Sequence, residues 1–471
     1  MRPGERPAAS IREDTEMPAA TLPPPPPSIE VVQVAARDTK DQTWSTETTP
    51  KQSEPLERSG PKTTAASAPA EQSHLLGDWA GIRTSLEDIG IKPTVSYIGF
   101  VAGNLNSGTS KQAQYAGQLG ASLDFDMGKI AGIEGGTFRA AVTNRHGNNI
   151  NDTNHLDLLQ YPQGVFGAGQ IWRLAGLWYQ QKIGPAEIKL GKMSMGEDFG
   201  STTCHFQSLY FCGVVPGHTS FNYWYNFPVT TWGGRVKVKD KLGYTMVGVY
   251  QRNDNNFPQN KGFYMGFKGQ GAFVAVERGF DVKLGGNPKL AGAYKVGAFF
   301  DTSKSDNLVY DDNGGFAQLT GDPLARERGR ASIYAVARQQ VTPADADGAG
   351  ALEAFFNFVS ADHRTNKLVN VITAGVTYSG LIPGRPKDQI GLAVGRSRVN
   401  RNLRDLQAAR NAALGEDIEP QSDEYAIEAN YSIALMPGLS LRPNLQWYIN
   451  PDGRQGAKNV LVAGTGVFAN F

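Results

Sequence analysis

Along Thr137–Arg145 the side chains alternate in type. Thr137, Arg139, Ala141, Thr143 and Arg145 fall on one face of an extended chain, and Phe138, Ala140 and Val142 on the other. Arg235, Lys237 and Lys239 oppose Val236 and Val238 in the same way, and Arg173 opposes Trp172, Leu174 and Trp178 within 171–180. Glu277, Lys295, Glu424 and Glu428 take similar polar positions elsewhere. A guanidinium offers a rigid fork of donors and never loses its charge, while carboxylates nearby accept hydroxyl protons and cancel the net field. That is equipment for contacting polar solutes rather than for making bonds.

Bond-making chemistry has little support. There is no Gly-x-Ser-x-Gly elbow, and Gly191-Lys192 lacks the upstream glycine of a phosphate-binding loop. Serines, histidines and aspartates are scattered without informative spacing, so an outer-membrane hydrolase is the weaker reading. Cys204, His205, Cys212 and His218 contain metal-binding atoms, but their spacing matches no zinc module. The segment Asn148–Asn154, flanked by His146 and His155, lacks the carboxylates a calcium site needs. No metal or cofactor is expected.

The elements that position the charges follow from composition and period. The 471 residues carry 46 Lys+Arg against 45 Asp+Glu, a net +1 that gives no basic field for nucleic acid. No run approaches the roughly 18–20 apolar residues of a spanning helix. Residues 1–74 hold 12 of the 27 prolines, 2 of the 55 glycines and a single aromatic, Trp44. Such a segment buries too little to offset its ordering entropy and is expected to be a disordered tail. Over 75–92 a short amphipathic periplasmic helix is expected: Trp79, Ile82, Leu86 and Ile89 share a face, Asp78 caps it and Gly90 closes it.

From Pro93 onward period two dominates, in Thr94–Val101, Ala272–Glu277, Ala293–Phe300, Ile333–Gln339, Val371–Tyr378, Ile390–Arg396, Tyr425–Ile433 and Ser440–Tyr448. The polar face is too charged for a dry core. Aromatics crowd the strand ends at Trp178-Tyr179, Tyr223-Trp224-Tyr225, Trp447-Tyr448, Phe468 and Phe471, which suits a membrane–water boundary. In lipid every backbone group must be paired, so strands span only as a closed barrel. Dividing 93–471 by about 24 residues per strand gives about 16 strands, wide enough for an aqueous channel. The expected fold is an all-β transmembrane antiparallel barrel. A soluble β-rich binding protein is the alternative, separable by fractionation.

Four ordered stretches then resemble the OprB-type carbohydrate-selective porin family of Gram-negative outer membranes. Gly77-Asp78-Trp79-Ala80-Gly81-Ile82-Arg83 is similar to the family's GDWGGxR, with Ala80 replacing a glycine. Phe206–Gly213, with Cys204 and Cys212, resembles its cysteine-bearing segment, and Leu381–Gly391 its GLIPGRPxDxxG stretch. Leu441–Gly453 resembles LQPDLQYIxxPGG, with Arg442, Asn444, Trp447 and Asp452 as departures. The resemblance covers roughly 75–471 and not 1–74. It implies a 16-stranded pore admitting mono- and small oligosaccharides by passive diffusion, as a monomer or homotrimer in outer-membrane lipid. It also implies that the barrel-assembly machinery reads Phe471. A general, weakly charge-selective porin is the alternative within transport.

Sugars present many hydroxyls and an apolar ring face, so a selective pore needs fixed donors, acceptors and aromatic surface at its narrow point. Arg139, Arg145, Arg173 and Glu277 are the first candidates for that constriction, with Arg235 and Lys237 beside them. The Gly-, Thr- and aromatic-rich stretch Phe199–Phe227 is expected to fold into the lumen. In an oxidising compartment Cys204 and Cys212 are expected to pair, with two free thiols as the alternative. Met1-Arg2-Pro3-Gly4 begins no apolar export signal: either the signal lies upstream, or it has been removed, or the protein is not exported.

Overall fold

The computed structural model describes residues 74–471 except Thr109 and Asn222; the tail expected over the residues before His74 lies outside the described residues. The first strands are β1 (Ile91–Asn104), β2 (Gln114–Asp126), β3 (Gly136–Gly147) and β4 (Trp172–Ile183). Next come β5 (Ala186–Met193), β6 (Thr231–Asp240), β7 (Gly243–Arg252) and β8 (Gly271–Lys283). The series continues with β9 (Ala291–Asp311), β10 (Leu324–Gln340), β11 (Leu352–Ala361) and β12 (Leu368–Ser379). It ends with β13 (Gln389–Val399), β14 (Asp423–Met436), β15 (Leu439–Ile449) and β16 (Val460–Asn470). Each strand pairs antiparallel with its sequence neighbours, and β1 also pairs with β16, from Ser96↔Asn470 to Asn104↔Val462, so the sheet closes. Closure leaves no edge, which is the condition for strands to span lipid.

Alternation decides which side chain meets lipid and which meets the lumen. On β13 Ile390, Leu392 and Val394 are exposed on the outer wall, while Ala393, Ser397 and Val399 are buried inside. The strands connect by short turns at one end, such as 184–185 and 437–438, and by long loops at the other, such as 148–171, 194–230 and 400–422. In outer-membrane barrels the short turns are periplasmic and the long loops extracellular.

A short N-terminal helix is present, but it differs from its expected extent. It runs over Ile82–Asp88 (α1), with Gly81 at its N-cap in the left-handed region (φ 91°). Trp79 and Ala80 also have positive φ, so Asp78 is not the N-cap residue itself, yet its carboxylate caps the first turn from outside by accepting the Thr84 N–H and hydroxyl, both at 2.9 Å. Ile82 and Ile89 are exposed, and the buried residue of α1 is Arg83. Its guanidinium bonds the main-chain oxygens of Pro93 (3.3 Å) and Phe471 and lies 4.2 Å from the Trp79 ring centroid. A charge, not an apolar stripe, fastens the helix to the end of the barrel.

Candidate functional site: the barrel lumen

The 37-residue connection 194–230 folds inward between β5 and β6, because inward-facing carboxylates supply acceptors for its backbone donors. At one wall Glu277 on β8 accepts the Gly200 N–H at 2.7 Å, with the Tyr334 hydroxyl at 2.8 Å and Tyr244 as its other donors. Lys295 on β9 donates to the Ser201 carbonyl and hydroxyl at 2.8 and 2.9 Å. At another wall Glu428 on β14 accepts from the Gln207 and Ser208 N–H groups at 2.7 and 2.8 Å. Glu424 accepts from the Tyr210 hydroxyl (2.8 Å), from Leu159 in loop 148–171 and from Asp452. Buried polar groups cost free energy unless they are paired, and here wall and loop satisfy one another.

Apolar packing completes the loop's seat. Tyr223, Trp224 and Tyr225 are buried against Phe273 and Phe299, which corrects their expected place at the membrane boundary. They lie in an inward-folded loop, where three consecutive rings find a core that alternation could not reveal. Cys204 and Cys212 form a disulfide across Cα atoms 4.7 Å apart, so their sulfurs are joined to each other. Next to it His218 is buried and His205 is half-buried. Burial, then Arg442 and Arg338, push the His205 pKa down to about 3 against a hydrogen bond to Gln389 that raises it. Burial pushes His218 to about 4 against its bond to the Cys212 carbonyl.

The candidate residues divide into two groups. Arg139, Arg235 and Lys237 belong to a ladder of lumen charges. Arg139 pairs with Asp124, and Arg235 pairs with Glu187 and with Asp198 at 3.1 Å. Lys189 reaches Asp198 at 3.0 Å. Burial disfavours the Asp198 carboxylate, but Lys189 and Arg235 outweigh it and hold its pKa at about 2. The Lys189 ammonium lies 4.4 Å from the Trp178 ring centroid, and Lys237 lies 4.2 Å from that of Tyr244. Trp178 therefore faces the lumen, not the side opposite Arg173. A bulge on β4, where Leu174 and Gly176 pair with adjacent residues of β3, shifts the alternation by one.

Arg145 and Arg173 face inward as well, but their donors go to loop carbonyls. Arg145 bonds Gln118 at 2.9 Å and the Gly167 and Phe227 carbonyls at 3.1 and 3.3 Å. Arg173 bonds the Asn256, Phe257 and Pro258 carbonyls at 3.0, 2.9 and 3.1 Å. Glu277 is likewise enclosed by its three donors.

Solvent-reachable charge lies elsewhere, in a recess of the lumen lined by Thr203, His205, Lys295, Arg338, Glu353 and Phe355 among others. The Arg338 Nε stands 3.5 Å from Glu353 Oε2, and Arg338 Nη1 donates to the Thr203 hydroxyl at 3.2 Å. Arg338, Glu353 and Phe355 were missed as candidates. The alternation of Ile333–Gln339 carried the signal for Arg338, but only the position of 201–205 singles it out from other inward charges.

A closed 16-stranded barrel with an inward-folded loop and a charged lumen is an integral outer-membrane porin, a transport protein. Residues 110–471 match the model of the carbohydrate-selective porin, OprB family, and the chain belongs to that family. It is 36% identical to Porin B of Pseudomonas aeruginosa over 408 residues, covering 83% of this chain and 89% of that protein. It is 32% identical to the putative porin QuiX of Acinetobacter baylyi over 423 residues, covering 85% and 94%. The high-pH structure of Pseudomonas putida OprB is similar with a TM-score of 0.81 at 34% identity, covering 85% of this chain and 99% of that one.

Proposed function

We propose that sugars cross this barrel by passive diffusion and make their selective contacts at Arg338, Glu353 and Phe355. The observation that carries the reading is this recess, which combines a guanidinium, a carboxylate and an aromatic ring that loop anchoring leaves reachable. Arg338 donates to sugar hydroxyls, Glu353 accepts from them and limits the net field, and the Phe355 ring offers an apolar face. The ladder of Arg139, Arg235 and Lys237 lines the approach, while Arg145, Arg173 and Glu277 act as positioning residues that hold the loops. Phe471 is the residue the assembly machinery reads, and the barrel works alone or as a homotrimer.

Liposome swelling tests the reading. Vesicles carrying the protein should swell faster in mono- and disaccharides than in amino acids of matched size. Equal rates would reduce the protein to a general, weakly charge-selective porin.

A further inference from the structure

On the outer wall of β9 and β10 the side chains change character in a few steps toward the long-loop end. Val296 and Phe300 on β9, and Ile333 on β10, are exposed apolar residues of the lipid-facing belt. Beyond them the pairing shifts register, with Thr302 and Ser303 of β9 set against the single Gly329 of β10 (φ 77°), and past the exposed Thr302 the residues Lys304 and Arg328 are direct cross-strand partners. Both are exposed, and neither side chain has a hydrogen bond or ion pair among the described residues. One further step out, Arg326 pairs with Asp306.

Like charges directly opposite each other on a sheet are destabilising. On β13, beyond Ile390, Leu392 and Val394 toward the long loops, the outward cations have partners in the protein. Arg398 bonds Asp423 at 3.0 and 3.1 Å, and Arg396 bonds Asn370 at 2.7 Å. On both walls an apolar belt gives way to cations toward the long loops, and on β9 and β10 Lys304 and Arg328 are left unmatched.

We propose that Lys304 and Arg328 together hold a lipid phosphate, that of a phosphorylated glycolipid in the outer leaflet. Its acyl chains lie along Phe300 and Ile333, and its phosphate sits between the ammonium and the guanidinium, as charge complementarity and depth require. The site concerns the outer wall and is independent of the lumen reading above.

The test uses the full chain in phosphatidylcholine nanodiscs doped with bisphosphorylated lipid A or its dephosphorylated form, with bound lipid counted by native mass spectrometry. The K304Q/R328Q double variant should bind bisphosphorylated lipid A about thirtyfold more weakly than the parent, the loss set by two juxtamembrane cations. K304Q and R328Q singly should each lose about fivefold. Dephosphorylated lipid A should bind all forms alike, R326Q should match the parent, and millimolar inorganic phosphate should not displace the lipid. A double variant that is folded by its heat-modifiable gel mobility and retains parental affinity overturns the site. Displacement by inorganic phosphate would make it a free-anion site instead, and an equal loss in R326Q would reduce it to a diffuse field. Sugar-driven swelling should be the same for all variants.

Discussion

Glu428 and Gln207 are 221 positions apart in the chain, yet the Glu428 carboxylate on β14 accepts the Gln207 N–H at 2.7 Å and the neighbouring Ser208 N–H at 2.8 Å. Removing the acceptor strands two loop donors inside the lumen, at a cost of about 1–3 kcal/mol each. In E428A the loop should detach from that wall while the barrel still closes. Single-channel recordings should show larger and noisier conductance. A quiet trace of parental amplitude would show that the loop does not depend on this anchor.

Arg338 and Glu353 face the recess with donors and acceptors in reach of a passing solute. In R338A the affinity with which sugars block ion current should fall about tenfold, the equivalent of one charge-assisted hydrogen bond. E353Q should fall less, because its amide still hydrogen-bonds. The matching control is R145M, whose side chain is engaged by the Gly167 and Phe227 carbonyls. It should alter loop order and conductance noise more than sugar preference.

The Cys204–Cys212 bridge closes a short loop within the lumen segment. In the chain-entropy model such a bridge contributes about 2–3 kcal/mol to the fold. Reduction, or a C204S/C212S double variant, should lower the temperature at which 194–230 becomes protease-sensitive and leave the barrel's heat-modifiable mobility intact. Unchanged protease sensitivity would assign the loop's order to the wall contacts alone.

Acid should weaken the seat of the loop through His205 and His218. An unfolded histidine takes its proton near 6.5, whereas these two resist protonation down to about 3 and about 4. Between those values the unfolded chain binds more protons, so their contribution is full above pH 6.5 and declines as the pH falls toward the folded values. At pH 5 the loss is about 2 kcal/mol per histidine. The parent should therefore melt at a lower temperature at pH 5 than at pH 7, and an H205Q/H218Q double variant should show a smaller difference. The same pH shift in both proteins would locate the acid sensitivity elsewhere.

By itself the sequence determined the wall. A strict period of two, a polar face too charged for a dry core, and the absence of any long apolar helix leave a closed transmembrane barrel, and Arg139 and Arg235 face the lumen for that reason. It also carried the cysteine pair and the family resemblance. Tertiary structure decided what happens inside. Local alternation says which way Arg145 and Arg173 point, but not that loop carbonyls from distant segments meet them. It misplaced Trp178, because one extra residue on β4 reverses the facing of everything beyond it. It grouped Tyr223, Trp224 and Tyr225 with the membrane-edge aromatics although the composition of 199–227 pointed that stretch into the lumen, because nothing in their own neighbourhood names Phe273 and Phe299 as the surface they meet. Period two is a property of each strand alone, whereas the lumen is assembled from segments hundreds of residues apart.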